Sequence, residues 1–321
     1  MIERSVGIVV IGRNEGERLR HCLESLNPDI FPVVYVDSGS TDRSTDLARA
    51  MSATVVDLDM SRPFTAARAR NEGFARLLQL MPELQFVQFV DGDCEVVDGW
   101  MASAADFLHT HPEHAVVCGR RRERYPEHSV YNLLCDEEWN TPVGDAKSCG
   151  GDALFRVSAF REVGGYRDGM IAGEEPELCL RLRAAGWRVR RIDHEMTLHD
   201  AAMTRFGQWW KRTLRAGHSY AEGASLHGGT PEQHKVKETV RALVWGAGIP
   251  LMIFLLAVFL GPTWLWLTAI YLLQWIRFWL RSRSASRASF LLLGKFAEAQ
   301  GVIKFHLGRF SGHEKRIIEY K

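Results

Sequence analysis

The stretch FVQFVDGDCEV, Phe86–Val96, is the most informative part of the chain for its fold and for a possible metal site. Its apolar and β-branched run predicts a buried strand, and that run stops at Asp91-Gly92-Asp93. Aspartate and glycine are common in turns, so a simple polar turn explains the pattern. Two carboxylates at a strand end can also hold Mg²⁺ or Mn²⁺, which bind carboxylate oxygens together with the phosphate oxygens of a substrate. The stretch alone leaves both interpretations open.

Strand and helix patterns alternate along the first 110 residues. Four more apolar runs predict strands, at Val6–Ile11, Val33–Val36, Thr54–Leu58 and Ala115–Gly119. This alternation predicts an α/β fold with a mostly parallel sheet covered by helices on both faces. In such sheets ligands bind beyond the carboxyl ends of the strands, where Asp37, Asp91 and Asp93 fall.

Composition narrows the class of protein. The 321 residues are 46% hydrophobic and 25% charged, which is enough for a buried core. A formal net charge of +1 gives no global field for a nucleic acid, so no nucleic-acid partner is expected. The six cysteines are scattered without a CxxC pair, which predicts reduced, buried thiols. The N-terminus has no apolar region of the signal-peptide kind, so no signal peptide is expected.

The stretch Ala242–Leu280 is almost free of charge, with only Arg277 interrupting it. Gly261-Pro262 divides it into pieces of about 17–19 residues, close to the ~20 that cross a bilayer as a helix. This predicts a membrane hairpin, either two full spans or a shallower re-entrant one, with a buried hairpin of a soluble protein as the alternative. Basic residues flank both ends and predict that both lie in the cytoplasm.

These patterns predict four parts: a catalytic domain at 1–227, a linker at 228–241, an apolar hairpin at 242–280 and a C-terminal segment at 281–321. The last segment mixes an apolar stripe with basic residues. It fits an amphipathic helix at the membrane surface and equally an ordinary packed helix.

Several polar residues near the predicted strand ends are candidates for ligand binding. Asp37 and Glu15 can accept hydrogen bonds from a nucleobase N–H or a ribose hydroxyl, or can serve a turn or helix cap. Asn14 is predicted to cap the first helix. Basic side chains should accompany a phosphate-bearing substrate, although a solvated basic face is the alternative for each; the candidates are Arg68, Arg70 and the pair Lys211-Arg212.

The segment GEEPELCLRLRAAGW, Gly173–Trp187, predicts a helix with Pro176 at its first position. Its acidic residues Glu174, Glu175 and Glu177 favour the helix dipole, and one of them can act as a general base toward an attacking hydroxyl. His199 follows a strand-like segment. It is a candidate third metal ligand beside Asp91 and Asp93, or a hydrogen-bonded structural histidine.

Six motifs in this order resemble the family 2 glycosyltransferases, which have the nucleotide-binding GT-A fold, over roughly residues 5 to 225. They are VVIGRNEGERLRHCLESL, VVYVDSGSTDRSTDLA, FTAARARNEGF, FVDGDCEV, CGGDALFRVSAFREVGGYRDGM and GEEPELCLRLRAAGWRV. With a C-terminal apolar hairpin, the chain is similar to membrane-associated enzymes that build bacterial polysaccharides or glycolipids.

The resemblance implies a role for each matching residue. Asp37 and Glu15 would contact the nucleotide, Asp91 would position the nucleotide-sugar, and Asp93 would bind the metal that bridges the diphosphate. Gly150, Gly151 and Asp152 would border the donor and acceptor site. Glu175 falls on the catalytic-base position, where the family often has aspartate, and Glu174 is the alternative.

The resulting hypothesis is an inverting, metal-dependent transfer of a sugar from a nucleoside-diphosphate sugar to a hydroxyl of a lipid-linked or saccharide acceptor. The catalytic domain is expected at the cytoplasmic face of the inner membrane. Two alternatives are an inactive membrane scaffold that keeps the fold and a nucleotidyltransferase. The acidic motifs disfavour the scaffold. The segment VVIGRNEGERL has too few glycines for the phosphate loop of a nucleotidyltransferase.

Overall fold

A computed structural model describes residues 5–27 and 30–311 of the chain. The chain divides into two compact units between Ala202 and Met203. The predicted domain boundaries stay predictions, although the last helix of the predicted catalytic domain, at 206–227, belongs to the second unit.

The first unit is built on one mixed sheet of nine strands within the described residues. The strands are β1 Val6–Gly12, β2 Val33–Asp37, β3 Thr54–Asp57, β4 Phe86–Asp91, β5 Cys94–Val96, β6 His114–Glu123, β7 Gly144–Asp145, β8 Ala153–Arg156 and β9 Arg188–His199. Their order is β3-β2-β1-β4-β8-β6-β9-β5, and β7 pairs with β9. Strands β1 to β4 are parallel, as predicted, while β8 is antiparallel to both of its neighbours.

Among the described residues of this unit, seven α-helices accompany the strands: α1 Glu17–Leu26, α2 Ser44–Ala50, α3 Ala66–Leu80, α4 Trp100–Thr110, α5 Val130–Trp139, α6 Val157–Glu162 and α7 Glu174–Ala184. The predicted cap of α1 is wrong, because the helix begins after Gly16. The Asn14 side chain instead accepts a hydrogen bond from the Thr41 N–H at 2.7 Å. Helix α7 begins at Glu174, so Pro176 occupies its third position rather than its first.

The register of the parallel strands brings the predicted carboxylates to one edge. Gly12 of β1 pairs with Asp37 of β2, and Ile11 pairs with Asp91 of β4. Helix α3 lies close against this part of the sheet, since a Cβ on Gly73 would lie 2.8 Å from a methyl of Val36. The side chains of the first turns of α3 are therefore held near the carboxyl ends of β1 and β4.

The second unit is helical, with α8 Phe206–His227, α9 Val236–Leu243, α10 Ile249–Leu260, α11 Ala269–Ser282 and α12 Ala285–Phe310. Helix α12 packs along α8 at glycines, because a Cβ on Gly217 would overlap the Glu298 carbonyl and one on Gly301 would overlap the Leu214 carbonyl. Residues 285–310 therefore form a helix packed against α8, and the position of this segment at a membrane surface stays a prediction. Residues 312–321 lie outside the described residues.

The apolar stretch differs from the predicted pair of equal pieces. Helix α9, a π-helical turn at Val244–Gly248 and α10 form one continuous helix, Val236–Leu260, which is the one helix of the described residues long and apolar enough to cross a membrane. The second piece is a 3-10 segment, Pro262–Thr268, followed by the 14 residues of α11. That α-helix is shorter than the ~20 residues of a full span.

Candidate functional site

Arg70 is buried in α3, with 2% of its residue surface exposed, and it joins three elements of the first unit. Its Nη2 lies 2.8 Å from Asp91 Oδ1 at the end of β4. Its Nη1 lies 3.0 Å from Glu174 Oε1 and 3.1 Å from Glu175 Oε1 at the start of α7. We call these four residues the Arg70 cluster. It contains four of the residues that the sequence singled out.

The charges of the Arg70 cluster are unequal, because one guanidinium faces three carboxylates. Burial raises the pKa of Glu175 to about 7, and the neighbouring charge of Glu174 adds to this rise while Arg70 opposes it. Burial also acts on Asp91, but Arg70 and Arg121 outweigh it and hold the pKa of Asp91 well below its ordinary value. One carboxyl therefore titrates near neutral pH while another stays ionised, a division typical of acid–base sites.

The loop before β8 closes against the Arg70 cluster. A Cβ on Gly151 would lie 2.5 Å from Arg70 Nη2 and 3.2 Å from Glu175 Oε1, so a larger residue here would displace the cluster. The next residue, Asp152, is fully buried. Its Oδ1 accepts from the Asp91 N–H at 3.1 Å, and its Oδ2 accepts from the Thr197 hydroxyl at 2.9 Å. Both residues are thus beside Asp91, and their place at the border of a donor and acceptor site stays a prediction.

Asp93 and His199 form a second group, which the pairing of β5 with β9 brings together. Asp93 Oδ2 lies 3.4 Å from His199 Nε2, and His199 Nδ1 lies 3.6 Å from Glu123 Oε2. Burial, together with the nearby charge of Arg121, lowers the pKa of His199. A neutral imidazole whose second nitrogen faces a carboxylate is a common arrangement in metal sites.

These residues fit a divalent cation through Asp93 and His199, with Glu123 orienting the imidazole. The side chains that could hold a metal form two sets: Asp93 and His199 with Cys94, and Asp91 and Asp152 with Cys94. In the second set, Asp91 Oδ2 also lies 3.4 Å from Arg121 Nη2. The Cys94 thiol lies within 4.8 Å of ligand atoms of both sets. Burial raises the pKa of Cys94 well above its ordinary value, so it offers a neutral thiol rather than a thiolate. The donor chemistry at Asp93 and His199 therefore suits the predicted metal better than that at Asp91.

At the end of the neighbouring strand β2, Asp37 is buried and engaged in its own turn. Its Oδ1 accepts from the Tyr35 hydroxyl at 3.1 Å and the Ser40 hydroxyl at 2.5 Å. Its Oδ2 accepts from the Gly39 and Ser40 N–H groups at 3.0 and 2.7 Å. The turn role of Asp37 is thus observed, and its contact with a nucleotide stays a prediction.

Four other residues that the sequence singled out lie away from these two groups or serve other contacts. Glu15 pairs with Arg18 at 2.8 Å and stays a prediction as a nucleotide contact. Arg68 is buried and donates to the carbonyls of Asp59 and Arg62, so it holds the loop before α3. The solvated-face alternative is wrong for Arg68 and for Arg70. Lys211 and Arg212 lie on α8 of the second unit.

Arg121 is a residue of this site that sequence reasoning missed. Its guanidinium lies 3.4 Å from Asp91 Oδ2, 3.5 Å from Asp152 Oδ2 and 4.9 Å from the ring centre of Trp139. In the sequence it stands within the basic run RRRER, Arg120–Arg124, which predicts only a charged surface. The pairing of β6 with β9 shifts register on both sides of Arg120, and the adjacent side chains of Arg120 and Arg121 are both largely buried. A regular alternation of sides would not place both inward, so the sequence pattern could not reveal Arg121.

Residues 7–164 match the family model described as Glycosyl transferase family 2. This stretch is a family 2 glycosyl transferase domain. The family predicted from the six motifs is therefore confirmed.

Relatives and solved structures extend this finding. The chain is 31% identical to the pre-mycofactocin glycosyltransferase of Mycobacterium tuberculosis, over 70% of this chain and 48% of that protein. It is 28% identical to the succinoglycan biosynthesis protein ExoA of Rhizobium meliloti, over 58% of this chain and 60% of that protein. The chain thus spans about half the length of the first of these relatives.

A solved structure confirms the fold class. The mannosyltransferase PcManGT of Pyrobaculum calidifontis, solved in complex with GDP-Man and Mn²⁺, aligns with a TM-score of 0.63 at 17% identity. The alignment covers 94% of this chain and 87% of that one. The predicted GT-A arrangement of the α/β unit is therefore shown.

Replacing Arg70 by glutamine tests the Arg70 cluster. Removing one partner of a buried ion pair leaves uncompensated charge and costs about 3–5 kcal/mol. We expect the Arg70→Gln variant to lose roughly this much stability at pH 7.5, and less at pH 5, where Glu175, whose pKa is raised to about 7, binds a proton. Hydrogen exchange at the β1 and β4 amides measures the loss. The control is Arg49→Gln, whose exposed ion pairs with Asp46 and Asp57 predict a change below about 1 kcal/mol. Equal losses in both variants would contradict this account.

Proposed function

We propose that the first unit transfers a sugar from a nucleoside-diphosphate sugar to an acceptor hydroxyl, with inversion at the anomeric carbon. The observation that carries the proposal is the Arg70 cluster, which places Glu175, Asp91 and Gly151 together at the carboxyl ends of the strands of a family 2 domain. The GDP-Man bound in the solved mannosyltransferase of similar fold supports a nucleotide-sugar donor.

Glu175 is the general base in this proposal. As the acceptor oxygen bonds to the anomeric carbon, its proton passes to the Glu175 carboxylate, and the bond from that carbon to the diphosphate oxygen breaks. Attack opposite the leaving group inverts the configuration. A base is most effective when its pKa lies near the working pH, and the pKa of Glu175 is raised to about 7.

Positive charge is needed where the nucleoside diphosphate departs. A divalent cation held by Asp93 and His199 supplies such charge when bound. Arg121 reaches the same region and is held by Asp91, Asp152 and the face of Trp139. We therefore assign Arg121 to the diphosphate side of the site and Glu175 to the acceptor side.

The apolar surface of the second unit favours contact with a membrane, and this supports a membrane-bound acceptor. Helix α10 exposes large apolar side chains, and contiguous apolar patches are rare on protein surfaces that face water. Those more than half exposed are Leu251, Phe254, Val258, Phe259 and Leu260. We propose that the helix Val236–Leu260 inserts into the cytoplasmic membrane and that the acceptor is lipid-linked. The naming of one relative for succinoglycan biosynthesis supports a role in polysaccharide synthesis.

A pH profile tests the base. Below pH 7 the wild-type kcat/KM for transfer is expected to fall about tenfold per pH unit, because only ionised Glu175 accepts a proton. Glu175→Gln should lower the plateau by about 10²–10⁴-fold and remove this dependence. Radiolabelled donor and a synthetic lipid-phosphate saccharide provide the assay.

Glu174→Gln is the matched control for this experiment. It removes the neighbouring negative charge that helps to raise the pKa of Glu175, so activity should persist and its pH midpoint should move to lower pH. If Glu174→Gln rather than Glu175→Gln abolished the pH dependence, the base would be Glu174.

Membrane insertion is tested by an arginine in the apolar helix. Arginine at the centre of a span costs about 2.5–3.5 kcal/mol, so Leu255→Arg should reduce the fraction of protein that stays with membranes after alkaline extraction. The control is Leu133→Arg on α5, because the two leucines are 42% and 44% exposed. Equal retention of both variants would argue against insertion of this helix.

A further inference from the structure

Two cysteines lie next to each other on the two segments that flank the Arg70 cluster, the loop before β8 and helix α7. Cys149 precedes the glycine pair Gly150-Gly151, and Cys179 lies on α7, one helical turn after Glu175. Their Sγ atoms are 3.5 Å apart in a thiol–thiol hydrogen bond. The two thiols therefore connect the loop that closes the site with the helix that carries the proposed base.

We propose that Cys149 and Cys179 are a modification site, at which a hydroperoxide forms an intramolecular disulfide that shuts off sugar transfer. This rests on the proposed function for its consequence, but not for its chemistry. The two thiols lose two protons and two electrons as the S–S bond forms. The O–O bond of hydrogen peroxide breaks, and the peroxide takes up those protons and electrons to give two waters.

The surroundings of Cys149 and Cys179 make this pair more readily oxidised than the neighbouring thiol of Cys118. The hydrogen bond from Cys149 lowers the pKa of Cys179, and the nearby charge of Arg183 acts in the same direction. Thiolates react with peroxides and thiols do not. Burial raises the pKa of Cys118, which lies in the same region, to about 12, so that thiol stays protonated.

Cys149 is the more exposed thiol of the pair and the one nearer to solvent. Cys149 is 7% exposed and is followed by exposed Gly150, while Cys179 is fully buried. Arg183 already ties this loop to α7, since its guanidinium donates to the carbonyls of Lys147 and Cys179. The loop and the helix are thus held at a distance from which a disulfide needs a small approach.

The consequence follows from the tight fit of Gly151. A disulfide needs about 2.05 Å between sulfurs, so the pair must close by about 1.5 Å. Closing this distance moves the loop that carries Gly150-Gly151 relative to α7, and Gly151 is a position where even an added Cβ would meet Arg70 Nη2 and Glu175 Oε1. The oxidised protein should therefore lose the geometry of the Arg70 cluster.

The test treats full-length protein in detergent with hydrogen peroxide and maps disulfides by mass spectrometry without reduction. We expect a peptide pair joined through Cys149 and Cys179, with a loss of transfer activity of at least tenfold that dithiothreitol restores. Cys149→Ala should keep its activity in peroxide, while the control Cys135→Ala should lose it like the wild type.

The outcomes separate this inference from the proposed function. Failure to recover the joined peptides from wild-type protein, or recovery of Cys179 joined to Cys118, would overturn the inference. So would full activity in protein shown to carry the disulfide. If reduced protein transferred no sugar from any donor, the proposed function would fail, and the peptide map would still decide whether the site forms.

Discussion

The buried guanidinium of Arg70 is the constraint on which the site depends. It joins helix α3, the end of β4 and the start of α7. A buried charge is tolerated only when it is paired and hydrogen-bonded. The three elements must therefore meet there, and Gly151 must lack a side chain so that the loop before β8 can cover the meeting point.

The same constraint sets the chemistry. Burial, together with the neighbouring charge of Glu174, raises the pKa of Glu175 against the opposing effect of Arg70, so the carboxyls of the Arg70 cluster do not all ionise equally easily. Asp91 is held ionised by two guanidiniums, and Asp152 fixes its backbone. Asp93 instead contacts His199, whose other ring nitrogen faces Glu123. The turn Asp91-Gly92-Asp93 thus separates a salt-bridged carboxylate from one suited to a metal.

Local patterns predicted much of this arrangement. Apolar runs located the first four parallel strands, and their carboxyl ends placed Asp37 and Asp91 at one edge. What local patterns missed depends on pairing between distant segments. Strand β5 is three residues long and exists because it pairs with β9, which also brings His199 to Asp93. Arg121 turns toward Asp91 at an irregularity in the pairing of β6 with β9, and Asn14 bonds to a neighbouring loop rather than to the helix that follows it. Hydropathy likewise located the apolar stretch, but not the break of its second half into two helical segments.

Calorimetry of nucleoside diphosphates tests the central claim, that this sheet edge binds a nucleotide-sugar through a metal at Asp93. A panel of uridine, guanosine, adenosine and thymidine diphosphates would be titrated into full-length protein with and without Mn²⁺, beside Asp93→Ala. The account predicts that one nucleotide binds tightly only with the metal, and that Asp93→Ala loses this binding while remaining folded. If folded wild-type protein bound none of the nucleotides with the metal present, the account would be contradicted.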